Sequence, residues 1–268
     1  MERGKKWIGA GVAVVIVAAA VVILAQGSGG GGGALNAIAK AAEVTQREPG
    51  GRATIKAKVT VSNSPEGLVE SGTMDFENSG RAQGTLTVKG LSNGKEAEAE
   101  SIADGTTSYT SSEGLESITE GKKWMKLDLA GAAKLQGGAS PAQGGPQEGL
   151  KVLERVMDAE EVGTDDVDGV PATHYRGNFP ATEEIFGVKT HFSAPHADVW
   201  IDSQDRVRRM RIVVTGSIGQ SSQSTTTEMD INFVEFGRVP KIELPPADEV
   251  FDATSEFESG IREAAKGN

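Results

Sequence analysis

One unbroken apolar block, residues 8–25, stands near the start of the chain, and beyond it hydrophobic positions recur only in short periodic runs. As a helix at about 1.5 Å per residue the block would reach roughly 27 Å, close to the ~30 Å hydrocarbon core of a bilayer. A glycine-rich tract, 26–33, follows. Leu35, Ile38, Ala39 and Ala42 then fall at helical spacing, which predicts an amphipathic helix over 34–43, stopped by Pro49-Gly50-Gly51. Next, Ile55, Ala57, Val59 and Val61 alternate with Lys56, Lys58 and Thr60, the period of a half-buried strand. Strand-like runs continue at 68–77, 85–89, 96–103, 106–111 and 122–129. Asn78-Ser79-Gly80, Asn93-Gly94, Asp104-Gly105 and Glu120-Gly121 separate them with turn chemistry, so an antiparallel meander is expected.

The rhythm breaks at 135–149, a Gly-, Gln- and Pro-rich stretch without apolar period that reads as a mobile loop. Leu150, Leu153, Val156 and Met157 suggest a helix running to about residue 160. A strand at 171–179 follows, then a short helix at 182–186, where Thr182 is placed to cap and Glu183 and Glu184 to favour the first turn. A hairpin is expected from 197–202 and 206–216 around Ser203-Gln204-Asp205, and another strand at 224–236. Pro245-Pro246 closes the sheet before a helix over 248–265.

Charge gives the apolar block its orientation. Arg3, Lys5 and Lys6 precede it, so residues 1–7 stay cytoplasmic and the rest is exported. The block is then an uncleaved anchor, or a signal peptide removed in the mature protein. It is long for a signal peptide, and Ile23-Leu24-Ala25 places a bulky residue where cleavage favours a small one. Around Ala25-Gln26-Gly27-Ser28 the chain also looks like a lipoprotein signal with serine in the place of the lipidated cysteine, and serine has no thiol to form a thioether. The organisation read here is a basic stub (1–7), an anchor or signal (8–25), a tether (26–33) and one extracytoplasmic domain (34–268).

The chain carries a net charge of −11 although its leader is basic, which argues against nucleic acid and against electrostatic docking to anionic lipid. It has no cysteine, which removes disulfides, thiolate nucleophiles and zinc–thiolate sites. Motifs that resemble chemistry are better read as structure. Gly90-Leu-Ser-Asn-Gly94 has the spacing of a nucleophile elbow, but it lies between two strands rather than between a strand and a helix. His191, His196 and Asp198, with His174 upstream, lack metal-site spacing, and Pro195 interrupts them. Asp165, Asp166 and Asp168 before Gly169 form an acidic turn without the closing glutamate of a calcium loop. Glu113, Glu116 and Glu120 have the acidity for paired glycosidase carboxylates, but aromatics make up only 5% of the chain and supply no sugar platform. No catalytic residue, metal or cofactor is expected.

Five phrases in order do carry a resemblance: Gly121-Lys-Lys-Trp-Met-Lys-Leu-Asp128, Gly149-Leu-Lys-Val-Leu153, Val167-Asp-Gly-Val-Pro-Ala-Thr-His-Tyr-Arg-Gly177, Ala197-Asp-Val-Trp-Ile-Asp202 and Ile242-Glu-Leu-Pro-Pro-Ala-Asp-Glu-Val250. Together they resemble the LppX and LprG lipoproteins of actinobacteria, of the LolA-like lipid-carrier superfamily, over most of 34–252. Relatives are lipidated at a cysteine, and Ser28 departs from that pattern. The resemblance implies an α+β, LolA-like fold: a strongly curved antiparallel half-barrel whose concave face is covered by helices, with an apolar cavity between them. Candidate lining residues are Ile55, Val59, Leu68, Met74, Phe76, Leu86, Val88, Leu150, Leu153, Met157, Val199 and Ile201. Alternation alone does not say which strand face looks inward. The implied function is binding and transport of lipids or lipidated molecules outside the cytoplasm, without catalysis. The implied partners are an acyl-chain lipid or glycolipid cargo, the cell membrane and an envelope acceptor protein, with no nucleic acid. The alternative is an envelope sensor module of the same fold. The protein is expected at the cell membrane as a single-pass chain, or secreted if the leader is cleaved.

Overall fold

The computed structural model describes residues 32–62, 64–90, 96–128, 145–185, 188–217, 224–237, 241–257 and 259. The apolar leader, the Asn93-Gly94 turn, most of the 135–149 loop and the end of the C-terminal segment lie outside them. The chain begins with helix α1 (Gly33–Gln46) and then runs through β1 (Gly50–Val61), β2 (Ser64–Glu77), β3 (Arg81–Lys89), β4 (Ala97–Asp104), β5 (Thr107–Ser112) and β6 (Trp124–Asp128). A short helix α2 (Pro146–Gly149) continues as a 3-10 segment, Leu150–Arg155. The remaining strands are β7 (Asp158–Val167), β8 (Val170–Asn178), β9 (Thr182–Ile185), β10 (Val188–Asp202), β11 (Val207–Ser217), β12 (Thr225–Phe236) and β13 (Val250–Asp252).

All thirteen strands form one open sheet in the order β13-β6-β5-β4-β3-β2-β1-β12-β11-β10-β8-β7, with β9 also paired to β10. Among the described strand pairs only β13 on β6 is parallel. The hairpins β1–β6 and β10–β12 follow from alternation and turn residues, whereas the joint between them, β1 against β12, links residues far apart in sequence. The protein is thus mostly β, richer in strand than the expected α+β class.

Four local expectations are corrected. The 150–160 helix is a 3-10 segment that buries Leu150 and Leu153 and ends in extended Val156. Spacing of three residues suits a turn of about three residues per repeat. Met157 therefore points away: it is 41% exposed, and its N–H donates to the Asn178 carbonyl as the chain enters β7. Strand β7 itself reads in the sequence as acidic helix and turn, because it is an edge strand with charges along its exposed length. The expected helix at 182–186 is strand β9, since pairing with β10 outweighs the local capping pattern. At the C-terminus, a 3-10 turn (Ala247–Glu249) and β13 occupy the first part of the expected helix, with helical backbone only from Thr254.

The largest core cluster lies on one face of the sheet. Ile38, Ala41 and Ala42 of α1 pack in one cluster with Leu150, Leu153, Ala53, Phe76, Val199, Met210, Ile231 and Phe233. Thr45, also buried, fixes the helix: its hydroxyl donates to the Ala41 carbonyl (2.8 Å) and accepts from the Val207 N–H (2.8 Å). The buried Gln147 amide donates to the carbonyls of Thr45 (3.2 Å) and Glu48 (3.1 Å), tying α2 to the end of α1. Buried polar groups satisfied in this way position two elements without an unpaired donor. On the opposite face Ile242 joins Ile102 and Trp124, after which the chain pairs as β13 with β6 and returns Ala253 to a cluster with Leu115, Met125 and Leu127.

Candidate functional site

Strand register decides which residues share a face. Val199 lies opposite Met210, Met210 opposite Ile231, Ile231 opposite Ile55, Ile55 opposite Gly72, Gly72 opposite Leu86 and Leu86 opposite Ala99. This row of apolar or small residues crosses seven strands on the face that packs against α1. Side chains alternate along each strand, so the same face carries Val59 opposite Leu68, Met74, Phe76 opposite Ala82, and Ile201. Every strand residue singled out in the sequence falls on this one face. Met74, Phe76, Leu86, Val88, Val199 and Ile201 are buried, while Ile55, Val59 and Leu68 are half-buried. Leu150 and Leu153 face it from the 3-10 segment, and Met157 does not.

A neighbouring row runs Ile212, Met229, Ala57, Glu70, Val88 and Ala97. Glu70 is its charged member and is absent from the candidates named in the sequence. It is 5% exposed, and burial pushes its carboxyl up from 4.5 to about 7. The signal for it was present: Leu68, Glu70, Gly72, Met74 and Phe76 are one alternating set, and a carboxylate in the apolar phase of a strand is out of place.

Close strand approach accompanies this region. A Cβ at Gly72 would lie 2.1 Å from the Thr85 carbonyl oxygen, and one at Gly84 would lie 2.1 Å from that of Thr73. Only glycine allows β2 and β3 to meet in this way.

The opposite face has different chemistry. Arg52 bonds Asp75, Arg209 bonds Asp230 and Arg211 bonds Glu228 across adjacent strands. Asp198 is buried between Arg176 (2.8 Å) and His174 (2.9 Å). Burial alone would raise its pKa, but these two hydrogen bonds outweigh it and hold the carboxyl below its usual range. His174 stacks on Trp200 at 4.4 Å, the Trp200 indole donates to Asp165, and the Arg209 guanidinium sits 4.9 Å from the Trp200 ring centre. This set ties β7, β8, β10 and β11 together. It unites His174 and Asp198 as the sequence allowed, but with arginine on the same carboxylate it is a structural clasp. The His191 side chain lies outside the described residues. Among the described residues no group of three His, Cys, Asp or Glu side chains is placed to hold a metal.

Two open clefts mark this second face. One, about 390 Å³, is lined by Lys56, Asp166, Asp168, Arg209, Asp230 and Asn232 among others. The other, about 260 Å³, includes Asp75, Gln83, Thr85, Glu100, Lys241 and Ile242. Their polar linings of mixed sign contrast with the continuous apolar face behind them.

Comparison with known proteins agrees with the resemblance read in the sequence. Residues 34–234 match the family model of the LppX_LprAFG lipoproteins. An uncharacterized 31.2 kDa protein from the rplA–rplJ intergenic region of Streptomyces griseus is 24% identical over 164 residues. That match covers 53% of this chain and 52% of the relative, so the chain spans about half the length of that protein. Among solved structures, lipoprotein LppX of Mycobacterium tuberculosis is similar at 16% identity and TM-score 0.49, covering 78% of this chain and 98% of that one. LprF of Mycobacterium bovis is similar at 15% identity and TM-score 0.42, with 80% and 97% covered. By the family match, which takes in most of its length, the chain belongs to the LppX_LprAFG lipoprotein family.

Proposed function

We propose that this protein is an extracytoplasmic carrier that binds acyl chains of lipids, glycolipids or lipidated molecules between the sheet and the helices. The observation that carries the reading is the apolar row from Val199 to Ala99, contributed by seven strands and continuous in register. In this reading the sheet curls into a half-barrel, with bends where Gly72 and Gly84 admit the facing strand, and α1 and the 150–155 segment cover its concave side. Removing one methylene from a bilayer costs about 0.8 kcal/mol, so a sixteen-carbon chain costs roughly 12 kcal/mol to extract. A preformed apolar site offsets that cost, and a site for acyl chains needs few polar groups. Transfer of intact cargo, rather than catalysis, is the work such a surface suits.

Among the described residues no helix is long and apolar enough to cross a membrane, and the leader at 8–25 lies outside them. We place that leader in the membrane as a single-pass anchor with the domain outside. An eight-residue glycine-rich tether has an end-to-end distance of about 15 Å, enough to sample the outer surface of the bilayer. Delivery across a wider envelope then requires an acceptor protein or release by cleavage.

The reading is tested by filling the face. Val59→Trp and Val88→Trp place indoles on the α1 side, whereas Thr85→Trp places one on the opposite side. Lipid uptake from phosphatidylcholine vesicles is expected to fall at least tenfold in the first two and to stay unchanged in the third. Thermal melts identify any variant that has unfolded. Val59 is only half-buried, so its variant is the one expected to keep the fold. Unchanged uptake by a folded Val59→Trp protein contradicts the proposal.

A further inference from the structure

Glu70 is a carboxyl side chain set into an apolar surface, without a partner among the described residues. In register it stands between Ala57 of β1 and Val88 of β3, and along its own strand the same-face neighbours are Leu68 and Gly72. No hydrogen bond or ion pair to it occurs among the described residues, although 95% of the residue is shielded from solvent. Two of these neighbours are small: Gly72 has no side chain and Ala57 ends at Cβ. A sheet built only for stability would hold valine or leucine at such a position, because shielding a carboxyl from water costs free energy. Among the described residues no group of His, Cys, Asp or Glu side chains places Glu70 in a metal site. What the position lacks among the described residues is a hydrogen-bond donor.

We infer that the donor comes from the cargo: Glu70 accepts a hydrogen bond from a hydroxyl or amide group carried next to the acyl chains, and so selects lipids that bear one. The inference rests on the carrier reading and deepens it. Apolar rows hold the chains, while a single carboxyl at a fixed place on the strand face sets how far they enter and which polar group may follow. Burial strengthens such a bond relative to water, and a lipid without a donor would leave the carboxyl unpaired, which is how a site discriminates.

The test uses two lipids of equal chain length, dioleoylglycerol with its free hydroxyl and the same molecule with that hydroxyl capped as a methyl ether. The full chain is incubated with each in mild detergent, and adducts are quantified by native mass spectrometry for the wild type, Glu70→Gln and Glu70→Leu. The wild type is expected to prefer the free hydroxyl at least tenfold. Glu70→Leu is expected to bind both lipids alike at the level of the capped one, and Glu70→Gln to keep part of the preference through its carbonyl. Equal binding of both lipids by the wild type overturns the inference and leaves the carrier reading standing. Loss of both lipids in Glu70→Leu also overturns it, since the residue would then shape the site rather than read the donor. Absence of any adduct with either lipid in all three proteins removes the carrier reading and the inference with it.

Discussion

Replacing Glu70 by glutamine is expected to open a stability gap of about 3 kcal/mol over the wild type between pH 4 and pH 8. The buried carboxyl holds its proton to about 7, whereas in the unfolded chain it releases it near 4.5. Because the folded-state value is raised, the native protein binds more protons than the unfolded one between those values. The favourable contribution of the protonated carboxyl is therefore fully present below about 4.5 and is lost as pH rises through 7. Glutamine does not titrate, so its variant escapes that loss. Asp198 and Asp202, whose carboxyls are held below their usual range, act oppositely, destabilising the fold as pH falls, and they cancel in the comparison. Urea unfolding of both proteins at pH 4, 6 and 8 measures the gap. A constant difference across that range would mean that Glu70 is solvated or paired.

The second large effect is expected at Phe233. It is 1% exposed on β12, meets Phe76 edge-on with ring centres 5.7 Å apart, and stacks on Phe236 at 5.9 Å. Phe236 in turn carries the Arg206 and Arg208 guanidinium groups at 4.7 and 4.9 Å. The ring thus joins β2 to β12 at the place where the two halves of the sheet meet through β1. Phe233→Ala removes a buried aromatic and leaves a cavity that rigid strands cannot close, at a cost of about 3–5 kcal/mol. Phe233→Leu keeps most of the volume and should cost less than half as much. Chemical denaturation gives both values, and a loss below 1 kcal/mol for the alanine variant would show that the site collapses around the gap.

Residues with one buried face made much of this architecture legible. Ile55, Ala57 and Val59 alternate with lysines and threonine because one side of β1 faces the core, and the same logic located most of the other strands. Where no face is buried, the signal disappears. Strand β7 is acidic and largely exposed on the edge of the sheet, so its backbone pairing with β8 left no trace in hydrophobic period. Strand β9 carries a sequence that favours a capped helix, and a partner supplied by β10 overrode it. A helical period of 3.6 places Met157 on the apolar face, whereas the observed 3-10 turn keeps Leu150 and Leu153 inside and turns Met157 out. The joint between β1 and β12 is a pairing between distant segments, beyond what any local pattern contains. Glu70 was visible in the alternation, but a search for apolar lining residues passes over a charge.

The apolar face is expected to hold lipid. Native mass spectrometry of the full chain, purified from a membrane-containing host and followed by lipid extraction, tests it most directly. A stoichiometric adduct that yields acyl chains on extraction is expected. A bare protein mass that stays unchanged after incubation with liposomes would contradict it.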